Sequence, residues 1–244
     1  MSKRLEFICN IEKVIQEIKT NKMDSLRESA TIISECLLSG GMIYAFGTGH
    51  SHILAEELFY RAGGLVRVYP ILDESLMLHA GASKSTSIER LHGYAAALLE
   101  NYPVKKNDII FIFSNSGRNA VTVEMAIQAK NKSMKVLAMT NLKHSQSVIS
   151  RHESGKLLYE VADVVIDNCG CIGDASIEFI NLGKVGPTST IIGALLLHSI
   201  VCDAIEITMD KNVKPEVFMS SNVDGGDTIN KAYIEKYSKV IKCL

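Results

Sequence analysis

The chain has 244 residues, 47% of them hydrophobic, and a formal net charge of −1 at pH 7. That length suits one large α/β domain or two small ones. The balanced charge argues against a general nucleic-acid binder, which needs a basic face, and no apolar run reaches the roughly 18 residues of a membrane span.

The start, Met1-Ser2-Lys3-Arg4-Leu5-Glu6, lacks the apolar core of a secretory signal, so a cytoplasmic location is expected. Two helices are predicted next. In the first, Phe7, Ile8, Ile11, Val14, Ile15 and Ile18 recur at helical spacing. Residues 21–24 break the pattern, and Leu26, Ile32, Ile33, Cys36 and Leu37 carry the second helix to a stop at Gly40-Gly41. These helices suit a subunit interface or core packing.

Strand-like runs follow at 42–46, 65–69, 109–113, 136–139 and 164–166. Each is short, apolar and rich in β-branched or aromatic residues, as expected for strands covered on both faces. Helical patterns lie between them at 51–62, 87–101 and 120–132, with a weaker one at 145–150. This alternation predicts a doubly wound α/β domain with a mainly parallel sheet. Ligands then belong at the carboxyl ends of the strands. A long loop is expected over 167–186, a strongly apolar helix over 187–208, and a last helix over 233–241. With no repeat or low-complexity linker, the chain reads as a single domain: helices over 1–40, a sheet core over 41–208 and an extension over 209–244.

The six cysteines, at 9, 36, 169, 171, 202 and 243, have neither a disulfide-framework nor a zinc spacing. Reduced thiols are expected. Cys36 and Cys202 fall in helical core patterns, and Cys169 and Cys171 read as loop residues, with a redox pair as the alternative.

Two turns carry the functional signal. The strand run Phe111-Ile112-Phe113 stops at Ser114-Asn115-Ser116-Gly117-Arg118-Asn119, and a helical pattern opens at Ala120. A buried strand that ends in small hydroxyl-bearing residues and opens a helix offers unpaired N–H groups and partial positive charge to an anion. Gly117 keeps the approach open. Gly47-Thr48-Gly49-His50-Ser51 repeats that logic after the first strand. It lacks the dinucleotide glycine pattern, since position 52 is histidine, and no Gly-Lys-Ser/Thr follows it. Thr188, Ser189 and Thr190 make a further anion-friendly helix start.

From about residue 31 to 207 the chain resembles the sugar isomerase (SIS) domain proteins. Gly47-Thr48-Gly49 looks like that family's first ligand loop, and Ser114-Asn115-Ser116-Gly117 like its Ser-x-Ser-Gly phosphate loop. Residues 162–168 and 184–190 look closest to an uncharacterised bacterial group of sugar-isomerase-domain proteins. The resemblance implies a flavodoxin-like sheet of five parallel strands that binds phosphosugars. It implies that Ser114, Asn115, Ser116 and Asn119 grip the phosphate, with Thr48 and Ser51 on the facing loop. Where the family often has threonine this chain has Asn119, whose amide still donates.

An aldose–ketose isomerase needs a base that moves a proton between adjacent carbons, and an etherase needs a similar carboxylate. The candidates are Glu57, Glu89 and His198. Glu57 lies where phosphoheptose isomerases place catalytic or metal-binding side chains. Counted from Gly47, their catalytic glutamate falls on Arg61 and their metal histidine on Glu57, which speaks against their mechanism and against a zinc site. Glu89 follows Ser85-Thr86-Ser87-Ile88, a stretch resembling the etherases' active-site region, but the same residues suit an ordinary cap of a helix that Glu89 opens. On that helix His92 shares its face. His79 is a loop histidine or part of a closing segment. His198 is a core histidine or, by resemblance, an active-site one. His50 and His52 provide no three-ligand metal constellation. The loop over 168–186, with Asp174, Ser176, Glu178 and Lys184, is expected at the ligand edge or at a neighbouring subunit's site.

The expected function is therefore phosphosugar binding with aldose–ketose isomerisation. The alternatives are an amino-sugar-phosphate etherase or lyase, and a non-catalytic sensor; the residues before the sheet are too short and uncharged for a DNA-binding module. The expected partner is a phosphorylated sugar or amino sugar. No metal, cofactor, nucleic acid or membrane is expected, and a homo-oligomer, dimer or tetramer, is.

Overall fold

The computed structural model describes all 244 residues. Helices α1 (Lys3–Asn21) and α2 (Met23–Leu38) lead into β1 (Ile43–Gly47), α3 (His52–Leu58) and β2 (Val68–Ile71). Next come α4 (Ala82–Ile88), α5 (Tyr94–Leu99), β3 (Ile109–Phe113), α6 (Ala120–Asn131) and β4 (Lys135–Thr140). Two short helices, α7 (Leu142–Ser145) and α8 (Leu158–Val161), precede β5 (Val164–Asp167). A hairpin of β6 (Ala175–Phe179) and β7 (Gly183–Pro187), then α9 (Ser189–Asp210) and α10 (Gly226–Tyr237), complete the chain.

The five strands β1 to β5 form one sheet in the order β2-β1-β3-β4-β5, every pairing parallel. All residues of β1 and β3 are buried. Their side chains alternate between two cores, as the period of two requires. Ile43, Ala45, Phe111 and Phe113 face α2 and α9, meeting Ile33, Leu37, Leu196 and Ile200. Tyr44, Phe46, Ile110 and Ile112 face α5 and α6, meeting Leu99, Val121, Met125 and Ala129. The sheet is thus wound on both faces. From β1 the chain moves outward to β2, then returns to place β3 on the other side of β1. The crevice between the ends of β1 and β3 is the topological switch point.

Helix α9 is long and apolar enough by composition to span a membrane. Here Ile192, Leu196, Leu197, Ile200, Val201 and Ala204 form a buried stripe over α2 and the sheet. A Cβ at Gly193 would lie 2.7 Å from Leu54 Cδ1, so the missing side chain brings α3 against α9. Cys202 lies on the outer face and is exposed, contrary to the core position expected of it; Cys36 is buried.

Other expectations change where distant residues intervene. The run at 65–69 is divided between two partners. Leu65 bridges Val217 in the C-terminal extension, and only from Val68 does the chain join the sheet. The helix expected over 51–62 stops at Leu58, because Phe59 is extended and Tyr60 has φ 48°. The helix expected over 87–101 is two helices, since Gly93 has φ 80° and the buried Glu124 carboxylate accepts from the Gly93 and Ala95 N–H groups at 2.9 Å each. The helices expected over 145–150 and 233–241 occur at 142–145 and 226–237. The loop over 167–186 contains the antiparallel hairpin β6–β7, which docks on α1: Asn10 Nδ2 donates to the Ser176 carbonyl at 3.1 Å and Lys3 Nζ to that of Glu178 at 2.9 Å.

Asp163 ties α6 to the edge of the sheet. Its carboxylate accepts from Lys130 Nζ at 2.6 Å and from the Val136 N–H at 2.8 Å. Partial desolvation pushes the carboxyl pKa up, but Lys130 and the Val136 amide outweigh it and hold the value below the ordinary one. Such a group stabilises the fold above its unfolded pKa, about 3.9, and the contribution is lost as pH falls through the depressed native value. Asp163→Asn should cost about 1 kcal/mol in urea unfolding at pH 7. The gap between wild type and variant should close as the pH is lowered below about 4; a gap independent of pH contradicts this assignment.

Candidate functional site

The exit of β1 is built tightly. A Cβ on Gly47 would meet the Ser51 carbonyl oxygen at 2.5 Å, so only glycine allows the turn to fold back under the strand end. Gly49 has φ 57° and starts a 3-10 turn over Gly49–Ser51 that runs directly into α3. His52 closes the turn by donating from Nδ1 to the Gly49 carbonyl. Thr48 is buried, and its hydroxyl donates to Glu89 Oε2 at 2.8 Å.

The exit of β3 is held by a polar ladder across three strand ends. The Asn115 carbonyl accepts from the Asn141 N–H at 3.1 Å and the Thr140 hydroxyl at 3.2 Å. Asn115 Oδ1 accepts from Asn168 Nδ2 at 2.9 Å, and Asn168 Oδ1 accepts from Asn141 Nδ2 at 3.1 Å. These bonds fix the Asn115 amide and leave its NH2 group to donate elsewhere. Ser114 Oγ accepts from the Gly117 N–H at 3.2 Å, which orients the hydroxyl. Gly117 has φ 59°, and a Cβ there would stand 3.0 Å from Leu158 Cβ. Ser116 is half-buried at the turn. Asn119 is the N-cap residue of α6 but makes no side-chain cap; its Oδ1 accepts from Arg151 Nη1 at 2.7 Å. One first-turn amide of α6 is already used, since the Val121 N–H donates to the Glu89 carbonyl at 3.1 Å.

The two exits meet. His50 and Ser51 from the first, Ser114 and Asn115 from the second, and Asn168 and Thr190 line one narrow cleft. Its enclosed part is about 20 Å³, room for a single oxygen-sized group, so anything larger extends outward over the rim. The buried Asn141 and Asn168, which sequence reasoning gave no role, are the fasteners of this edge. Their signal was a polar residue directly after a buried strand, as in Thr140-Asn141 and Asp167-Asn168.

The helix start at Thr188 to Thr190 is not an open anion site. The Asp174 carboxylate already occupies it, accepting from the Thr188 N–H and hydroxyl at 3.0 and 3.2 Å and from the Ser189 N–H and hydroxyl at 2.8 and 2.6 Å. Of the segment over 168–186, Asn168 reaches the cleft while the hairpin lies against α1. Lys184 lines a different cavity of about 280 Å³ beside α1, together with Lys13, Lys143, Cys169 and Cys171. Burial, and then the neighbouring Asp167 carboxylate, push the Cys169 thiol up to about 12, so it stays protonated and is a poor redox nucleophile.

The acid–base candidates separate into two places. Glu89 follows the last residue of α4 instead of opening a helix. It therefore shares no helix face with His92, which lies in the exposed turn before α5. Thr48 brings its carboxylate to the β1 exit, and no protein donor occupies Oε1. Glu57 and His198, singled out independently, are partners: His198 Nε2 lies 2.8 Å from Glu57 Oε1, and Arg61 Nη1 donates to Glu57 Oε2 at 2.8 Å. His198 is eight residues beyond Thr190, about 12 Å further along α9. The pair thus sits on the outer α3–α9 surface, away from the cleft. His79 is exposed, with its ring 6.4 Å from that of His52.

Comparison with known proteins agrees with this architecture. Residues 6–141 match the SIS domain family. A UPF0309 protein of Geobacillus thermodenitrificans is 42% identical over 240 residues, covering 98% of this chain and 96% of its own. The UPF0309 protein BH3325 of Halalkalibacterium halodurans is 44% identical over 228 residues, covering 93% and 94%. Among solved structures, the phosphoheptose isomerase GmhA from Neisseria gonorrhoeae superposes with a TM-score of 0.50 at 18% identity, over 80% of this chain and 93% of that one. The protein c3406 of E. coli CFT073, solved with a ligand bound, gives 0.50 at 16% identity, over 85% and 88%. These structural likenesses show a shared fold. With the family match, the near end-to-end relatives and the Ser-Asn-Ser-Gly turn on the exit of β3, the chain belongs to the SIS domain family.

Proposed function

We propose that the protein binds a phosphorylated sugar at the joint exit of β1 and β3 and interconverts its aldose and ketose forms by proton transfer. The observation that carries this reading is the Thr48–Glu89 hydrogen bond, which fastens a carboxylate at the β1 exit, on the same turn as the His50 and Ser51 that line the cleft. The Ser116 hydroxyl, the NH2 groups of Asn115 and Asn119, and the turn amides suit a dianionic phosphate. Ser51 stands on the facing loop.

In this reading Glu89 is the base. Its free Oε1 takes the proton from the carbon beside the substrate carbonyl, leaving an enediolate; the neighbouring hydroxyl proton passes to the former carbonyl oxygen, and Glu89 returns its proton to the former carbonyl carbon. Thr48 holds the other oxygen and fixes the direction of the lone pairs. The Glu57–His198 pair supplies a second acid–base group on the α3–α9 face, where a neighbouring copy could use it. Association is part of the proposal, because Leu5 and Ile8 of α1 and Ile191, Leu195 and Met209 of α9 are exposed. A lyase or etherase would begin with the same proton abstraction by Glu89, then expel a substituent instead of returning the proton.

A panel of sugar phosphates should contain at least one that raises the melting temperature. At a hundredfold its Kd, such a ligand adds about 2.7 kcal/mol to stability. Ser116→Asp sets negative charge against the phosphate and should abolish the shift, whereas undiminished binding contradicts the cradle. Glu89→Gln should lower turnover by about a hundredfold or more while leaving affinity within a small factor. Near-normal turnover removes Glu89 as the base. Substrate incubated in heavy water should gain deuterium at the abstracted position: exchange with aldose–ketose conversion marks an isomerase, exchange with loss of a substituent marks a lyase, and binding with no exchange marks a sensor. Sedimentation at micromolar concentration should show a dimer or tetramer, and a monomer contradicts the association.

A further inference from the structure

Three arginines gather on the α6 side of the Ser-Asn-Ser-Gly turn, outside the lining of the cleft. Arg118 belongs to the turn itself. The Arg151 N–H donates to the Arg118 carbonyl at 2.8 Å, and Arg151 Nη1 reaches Asn119 Oδ1. Arg90 is seated beside them because the Glu89 carbonyl accepts from the Val121 N–H in the first turn of α6. The flanking rings of His92 and His152 stand 5.6 Å apart, which fixes the two segments against each other.

None of these guanidinium groups forms a direct ion pair within the protein. The only arginine ion pair in the structure is Arg61 with Glu57. Glu89 is hydrogen-bonded to Thr48, and Glu153, adjacent to His152, makes no ion pair. Arg118 Nε is buried without an acceptor. Burial, and then the charges of Arg118 and Arg90, hold Arg151 below the ordinary arginine pKa, and the nearby Glu89 carboxylate offsets only part of that. Holding like charges together with no carboxylate in direct contact costs free energy, and planar donor forks of this kind match phosphate and carboxylate oxygens.

We propose that this basic rim receives a second anionic group of the ligand, so that the substrate class is a sugar phosphate carrying a further phosphate or carboxylate. This rests on the phosphosugar reading above: the first phosphate takes Ser116 and the NH2 groups of Asn115 and Asn119 at the turn, and the second group lies over Arg90, Arg118 and Arg151.

Calorimetric titration of the full chain with fructose 6-phosphate, fructose 1,6-bisphosphate and 6-phosphogluconate tests it. At least one of the two-anion ligands should bind about tenfold tighter than the monophosphate, as an added charge-assisted contact provides. Preference for the bisphosphate identifies a second phosphate, and preference for the phosphogluconate a carboxylate. Arg90→Gln and Arg151→Gln should each remove most of that preference, and Arg90→Gln should leave fructose 6-phosphate binding unchanged. Monophosphate binding with no two-anion preference overturns the rim proposal alone. So does an Arg90→Gln loss that is equal for monophosphate and two-anion ligands, since the arginine would then serve the first phosphate. Failure of all three ligands to bind overturns the rim proposal, and failure of the whole sugar-phosphate panel overturns the phosphosugar reading with it.

Discussion

Strands β1 and β3 lie side by side, buried on both faces, and the chain leaves them toward opposite flanks of the sheet. Buried parallel strands cannot end without leaving backbone groups that need partners. At this edge those needs are met by small polar residues. Gly47 lets the first turn fold under its strand. The Asn115–Asn168–Asn141 ladder ties the ends of β3, β4 and β5 together. The geometry of the cleft follows from the sheet order, and its chemistry follows from what is left over once the scaffold has taken its own hydrogen bonds.

That accounting separates two kinds of polar residue near the site. Asn141, Asn168 and Ser114 are committed to the scaffold, and Asp174 has closed the start of α9 with the protein's own carboxylate. Ser116 and the NH2 groups of Asn115 and Asn119 remain uncommitted at the same edge. The charged groups divide in the same way. Glu57, Arg61 and His198 satisfy one another on an outer face. Glu89 keeps one oxygen free, and Arg90, Arg118 and Arg151 form no direct ion pair. Unsatisfied capacity therefore concentrates around one turn, which is where a ligand has most to offer.

The sheet and both turns were legible because their causes are local. Apolar β-branched runs mark strands buried on both faces, and glycine beside hydroxyl residues marks the turns. What was hidden depends on contacts distant in sequence. The helix expected to begin at Glu89 is interrupted because Glu124, about thirty residues on, caps α5. Glu57 and His198 are 141 residues apart, and nothing in either local pattern announces the pair. The hairpin over Ala175–Pro187 was missed for a different reason. Its inward residue Ile177 packs on α1 while Ile180 and Leu182 are exposed at the tip, so the alternation that marks a strand is blurred. Cys202 was misplaced because α9 is apolar on nearly every side, and composition alone does not separate its inner from its outer face.

The amides at the two strand exits report the central claim directly. In an amide NMR titration with a sugar phosphate that stabilises the protein, the account predicts that the largest shift changes fall on Gly49 to Ser51 and on Ser116 to Asn119, saturating together. If the changes fall instead around Lys13, Cys169 and Lys184 in the cavity beside α1, while both exits stay unmoved, the proposed site at the ends of β1 and β3 is contradicted.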